Sequence, residues 1–272
     1  MSISVFIKRH PVTTYYALVF AISWGCILIV VGPGGILGKE TVYLAGPSSL
    51  AGPSIAGILL TVLVYGRAGL RDFLSRLFRW RVGARWYAAA LLTAPLLITA
   101  ILFALSLTSP VFLPAIVITD DKAGLLLSGI VAGLVVGFFE ELGWTGFATP
   151  ELRNRYGILT TGLFMGLLWG AWHFPLFLGS ASSSGALPPA LFLAVLLFSF
   201  LPPYRMLMVW VYDRTKSLFV VMLMHVPLAA SQFILIPPAL SGMPLVTYDL
   251  VFAAALWVVI AVVFVTKGTT RR

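Results

Sequence analysis

The chain has 272 residues, of which 60% are hydrophobic and only 10% charged. A soluble domain covers its surface with about 25% charged residues, so a soluble fold is excluded and the solvent of this chain is largely lipid. The net charge of +9 does not indicate a nucleic-acid partner. The basic residues cluster at the ends of apolar runs with no aromatic interleaving, which reads as topology and contact with anionic headgroups.

In chain order, the first apolar run follows Lys8 and Arg9 and so mimics a signal peptide. It continues past Gly25 to about Val31 with no small-residue cleavage site, and is read as the first span. Cys26 is the single cysteine, which excludes an intramolecular disulfide and a multi-cysteine metal site. A helix needs roughly 20 apolar residues to cross a bilayer. Eight runs qualify: about 13–32, 46–66, 86–108, 123–147, 160–179, 188–211, 217–236 and 247–266. The expected fold is all-α, a polytopic transmembrane bundle of about eight helices forming one membrane domain over residues 1–272.

Between the second and third runs, residues 68–82 carry Leu70, Phe73, Leu77 and Trp80 at helical spacing with arginines opposite. This predicts a short amphipathic helix lying in the interface. Basic residues alternate between connections. Lys8, Arg9, the six arginines from Arg67 to Arg85, Arg153, Arg155, Arg214, Lys216, Lys267, Arg271 and Arg272 fall on one side, and only Lys39 and Lys122 on the other. Both termini are therefore expected to be cytoplasmic. A cysteine placed at 113–120 in a Cys26→Ser background should be labelled by an impermeant thiol reagent from outside; labelling from the cytoplasmic side alone would overturn the topology.

Most acidic residues sit near span ends, but Glu140 and Glu141 lie inside the fourth run, in VVGFFEELGWTGF. A carboxylate at membrane depth costs on the order of 3 kcal/mol, and two adjacent ones point to function rather than accident. The competing reading, a structural ion pair, has only Arg205 as a partner within a neighbouring span. Arg205 follows Pro202 and Pro203, which should break the sixth helix. It is expected to snorkel to the cytoplasmic interface and not to be catalytic. His173, in WGAWHFP, and His225, in LMHVP, are the other ionisable groups within spans. His10 is interfacial.

Spans four and five are expected to form an antiparallel hairpin, with Glu140 and His173 at equal depth, roughly 18 Å from the interface at ~1.5 Å per residue. His225 falls at the same depth by the same ruler. Gly129, Gly133 and Gly137 lead to Glu140, and Gly162, Gly166 and Gly170 lead to His173. Such small-residue stripes let helices approach closely and put both groups on or beside buried faces. A glutamate next to a histidine in a dry cavity can take a proton from water, and polar donors beside them can stabilise an oxyanion. Two histidines and a glutamate can also hold zinc with an open position, although no HExxH helix is present and a metal site would draw on three spans. Whether a divalent metal such as zinc is used stays open.

At these residues the chain resembles the CPBP family of membrane proteins, which includes the type II CAAX prenyl endopeptidases and bacterial immunity-type relatives. The family's first motif, EExxxR, stands here as Glu140-Glu141-Leu142-Gly143-Trp144-Thr145-Gly146. The second, an aromatic, three residues and then a histidine, is Trp169-Gly170-Ala171-Trp172-His173 with Pro175 after it. The third is His225 with Ala229. The likeness covers about 120–235, with a softer extension to residue 50. It implies an intramembrane endopeptidase of a bacterial plasma membrane, acting on a peptide or protein whose prenylation is left open. Glu140 would be the base, His173 its partner and His225 an oxyanion donor, with Glu141, Trp169, Trp172, Thr145 and Gln232 in support. If a metal is used, Glu140, His173 and His225 would be its ligands. Glu141 is expected to bond Trp144, Trp172 or a backbone group.

Two positions depart from the pattern. Thr145 replaces the first motif's arginine, so an ordering contact to the glutamates is lost. Ala229 replaces the third motif's Asn or Asp and removes an oxyanion donor, with Gln232 one turn further along. These departures keep a second reading open, a non-catalytic scaffold or bacteriocin-immunity protein of the same fold. A proton-coupled transporter would be a third reading, but no internal repeat supports it.

Overall fold

The computed structural model describes residues 3–38 and 41–268; Lys39, Arg271 and Arg272, used in the charge argument, lie outside the described residues. The regular elements among them are helical. In chain order these are α1 (Ile3–Arg9), α2 (Pro11–Gly35), α3 (Thr41–Ser49), α4 (Ala51–Leu77), α5 (Ala84–Ser106), α6 (Ala115–Ile118) and α7 (Lys122–Gly143). After a wide π turn at Trp144–Ala148 follow α8 (Thr149–Arg153), α9 (Ile158–Trp172), α10 (Phe174–Phe177), α11 (Pro189–Phe198), α12 (Leu201–Thr215), α13 (Leu218–Leu235) and α14 (Gly242–Gly268). Seven helical stretches are long and apolar enough to cross a membrane, and α9 with the segment after it makes an eighth, bent by 48°. The chain is thus an all-α integral membrane bundle. Its outer face is apolar: Leu127, Ile130, Leu134 and Phe138 of α7 are exposed, as lipid-facing side chains must be.

The glycine stripes are the contact faces of α7 and α9. A Cβ at Gly133 would lie 2.6 Å from the Val226 carbonyl oxygen of α13, and one at Gly137 would lie 2.9 Å from the Val226 nitrogen. The α9 stripe meets Met206 and Pro202 of α12 and the Leu197 carbonyl of α11. The expected hairpin is therefore opened: α7 packs mainly on α13 and α4, and α9 on α12. The site helices are brought together by these intervening partners rather than by direct contact of the two arms. Gly133→Leu should overpack the α7–α13 face and lower stability by about 1–3 kcal/mol, read as an earlier thermal transition in detergent. Gly25→Ala, where a Cβ meets nothing within 4 Å, should leave the transition in place.

Special backbone positions delimit the spans. Gly32 (φ 70°) breaks α2 where the first span was expected to end, and Gly66 (φ 61°) breaks α4 at the end of the second. Both positions use the positive φ that glycine alone adopts readily. The helix after Gly66 runs only to Leu77, shorter than the amphipathic helix expected over 68–82. Phe73 is buried against Leu142, Leu218 and Met222, with Leu77 beside it. Trp80 lies beyond the helix end and is exposed. The sixth span breaks at Ser199–Phe200, because Pro202 and Pro203 lack the N–H groups that would bond to Phe198 and Ser199.

Connections two, four and six gather at one end of the bundle, as the charge alternation requires. Arg153 pairs with Asp213 at 2.8 Å, Ser217 donates to the Arg79 carbonyl at 2.6 Å, and Arg76 donates to the Gly146 carbonyl at 2.9 Å.

Candidate active site

The four ionisable groups singled out from the sequence meet between α7, α9 and α13, and a fifth joins them from α12. Glu140 is 2% exposed, Glu141 0%, His225 2% and Arg205 0%. His173 is half-buried. It sits at the bend between α9 and α10 because Pro175 cannot donate to the carbonyl of Ala171. The fifth span is therefore broken at His173 instead of running through to 179.

Trp169 organises one half of the cluster. Its indole N–H donates to Glu140 Oε2 at 2.7 Å. One turn on, His173 Nδ1 lies 2.8 Å from the Trp169 carbonyl. A carbonyl can only accept, so Nδ1 carries the proton and Nε2 is left with its lone pair. Glu140 and His173 are thus joined through one residue, in keeping with their equal expected depth.

Glu141 organises the other half. Its Oε1 lies 2.9 Å from His225 Nδ1. Its Oε2 accepts from Arg205 Nη1 at 2.9 Å and from the Thr145 hydroxyl. Three expectations are corrected by this geometry. Arg205 does not snorkel to the interface; it is wholly buried and paired with Glu141. The ordering contact assumed lost at Thr145 is present in another form, as a hydroxyl donor together with a guanidinium from α12. Glu141 does not bond Trp144 or Trp172, whose indole N–H groups have no partner among the described residues. Trp172 instead lies edge-on to His173, with ring centroids 4.7 Å apart, and its carbonyl accepts from Trp24 at 3.1 Å.

Ala229 is half-buried one turn after His225, and Gln232 is set beside Tyr248 of α14. Arg205 is the member of this cluster that sequence reasoning discounted, and its signal was available: no other Lys or Arg lies in the interior of an apolar run.

The residues present do not fit a protein-held metal ion. Among the described residues no three His, Cys, Asp or Glu side chains form a group that could hold one.

A bundle of this kind, with acid–base groups from four helices converging in its interior, defines a polytopic membrane protein built around a buried polar centre. Residues 122–230 match the family described as type II CAAX prenyl endopeptidase Rce1-like. A relative is the CAAX prenyl protease 2 of Methanococcus maripaludis, 27% identical over 104 residues that make up 38% of this chain and 38% of that one. The matched region of this chain holds Glu140, Glu141, His173, Arg205 and His225.

Proposed function

We propose that the chain is an intramembrane endopeptidase that uses a Glu140-activated water to cleave a peptide presented at or within the bilayer. The observation that carries this reading is the state of Glu140. It is buried, it belongs to no ion pair among the described residues, and it hangs on the same Trp169 that holds His173. A carboxylate already neutralised by a cation is a poor base; one steadied by an indole N–H keeps its second oxygen for water.

The reaction follows from the donors. Water gives a proton to Glu140 while His173 Nε2, the free lone pair, accepts its second hydrogen bond. The water oxygen adds to the peptide carbonyl carbon. His225 has Nδ1 turned to the Glu141 carboxylate, so Nε2 is the atom left to face the developing oxyanion, to which it donates as the imidazolium paired with that carboxylate. The C–N bond then breaks, and Glu140 returns the proton to the leaving amine. The expected orientation, with both termini cytoplasmic, belongs to this proposal.

The test is the purified chain in nanodiscs, incubated with a peptide library in prenylated and unprenylated forms, with new termini read by mass spectrometry. Cleavage in either arm that disappears in Glu140→Gln supports the reading. Identical termini in wild type and Glu140→Gln sink it and leave the non-catalytic scaffold, which the loss of a donor at Ala229 favours.

A further inference from the structure

Arg205 touches both halves of the cluster. Its Nη1 donates to Glu141 Oε2 at 2.9 Å, and its guanidinium carbon lies 4.2 Å from the centre of the Trp169 ring. Glu141 holds His225, and Trp169 holds Glu140 and His173. One guanidinium is therefore a single contact away from each of the three groups assigned to the chemistry, without bonding to any of them.

The side chain suits this task by its shape. Its planar cation can stack on an indole and, in the same plane, aim an N–H at a carboxylate; an ammonium is a point charge and cannot do both. Its burial also argues against a passive role. A cation at this depth is expensive, and Arg205 Nε and Nη2 have no partner among the described residues, so Nη1 and the stacked face are what hold it. The backbone delivers it accurately: the helix break before Pro202 starts α12 just above it, and the neighbouring Tyr204 hydroxyl donates to the Met224 carbonyl at 2.7 Å, the residue before His225.

Thr145 and Arg205 converge on the same oxygen of Glu141. The two positions are thus neighbours in space although they lie on different elements, and an arginine at 145 would reach for the volume that the Arg205 guanidinium fills.

We propose that Arg205 is the positioning residue of this site: delivered from α12, it locks Glu141, and through it His225, while its stack on Trp169 sets Glu140 and His173. The positioned groups are called catalytic on the strength of the proposed function, so the test separates the two. The variants are Arg205→Lys, Arg205→Thr and the exchange Thr145→Arg with Arg205→Thr, all in the full chain in nanodiscs. The readouts are kcat and KM across pH, and the ring-nitrogen resonances of isotope-labelled histidine, of which the chain has three.

Arg205→Lys keeps the charge and loses the fork and the stack. It should lower kcat by about 100-fold, the cost of an ångström-scale misplacement, with KM within about threefold, and should move the His225 resonance. The exchange should exceed Arg205→Thr by at least about tenfold in kcat and return the His225 resonance toward wild type. If Arg205→Thr does not fold, Arg205→Lys and the exchange decide. Unchanged kcat, pH profile and His225 resonance in Arg205→Lys overturn the proposal, as does an exchange no better than Arg205→Thr. A wild type that cleaves nothing, but whose His225 resonance moves in Arg205→Lys and returns in the exchange, leaves Arg205 as positioning residue and removes the peptidase reading.

Discussion

Glu140→Gln should lower the rate of peptide cleavage by about 10²–10⁴-fold, the usual contribution of a general base, with little change in thermal stability. The substitution is nearly isosteric, and a carboxamide oxygen can still accept from the Trp169 indole, now 2.7 Å from Glu140 Oε2. What is lost is proton affinity. Glu141→Gln should behave in the opposite way. Glu141 is 0% exposed and holds both Arg205 and His225. Neutralising it strands a buried guanidinium, a change that typically costs about 3–5 kcal/mol. The measurement is the pair of variants side by side: kcat from peptide cleavage and the melting transition in detergent. The expected pattern is a dead, stable Glu140→Gln and an unstable Glu141→Gln. Reversed roles, with Glu140→Gln unfolding early and Glu141→Gln stable and inactive, would make Glu141 the base and remove Glu140 from the mechanism.

The difference between these neighbours was only partly legible in the sequence. The helix period puts Glu140 and Glu141 on different bearings, so one base and one supporting carboxylate could be expected. The partners of the supporting one could not. Arg205 was placed by its short rise from the cytoplasmic end of the sixth helix, below a break expected at the proline pair. The break is present at Ser199–Phe200, but the close seat of α9 on α12, where the Gly166 stripe meets Pro202, turns that residue inward instead. The same limit applies to the hairpin. Its short connection predicted neighbouring arms, but each glycine face chose another helix, and nothing in a stripe of glycines specifies its partner. The eight apolar runs, the glycine contact faces and the meeting of Glu140, Glu141, His173 and His225 were readable because they follow from burial cost and helical spacing. The wide turn at Trp144–Ala148, which carries Thr145 toward Glu141, leaves no mark in hydropathy. Pro175 did mark the bend at His173, though as a family feature rather than as a break.

Ala229→Asn should raise kcat, and the size of the rise separates a weakened enzyme from a retired one. One missing oxyanion donor lowers a rate by about 10²–10³-fold. Ala229 lies one turn after His225 on α13, so a side-chain amide there projects from the same face of the helix as the imidazole, beside the Nε2 that Glu141 leaves free. The position is half-buried, and it is not one of the glycine contacts that close α7 on α13, so a modest side chain can be accepted there. Ala229→Ser and Ala229→Leu serve as controls for a smaller donor and for bulk alone. An enzyme in which the rest of the machinery is intact gains about tenfold or more from Asn, less from Ser and nothing from Leu, with KM little changed because the donor acts on charge that develops only in the transition state. A chain in which Asn, Ser and Leu all leave peptide uncleaved, while melting normally, has lost more than a donor. The Glu141–Arg205–His225 network would then be maintained for the architecture of the bundle, and the scaffold reading would replace the peptidase.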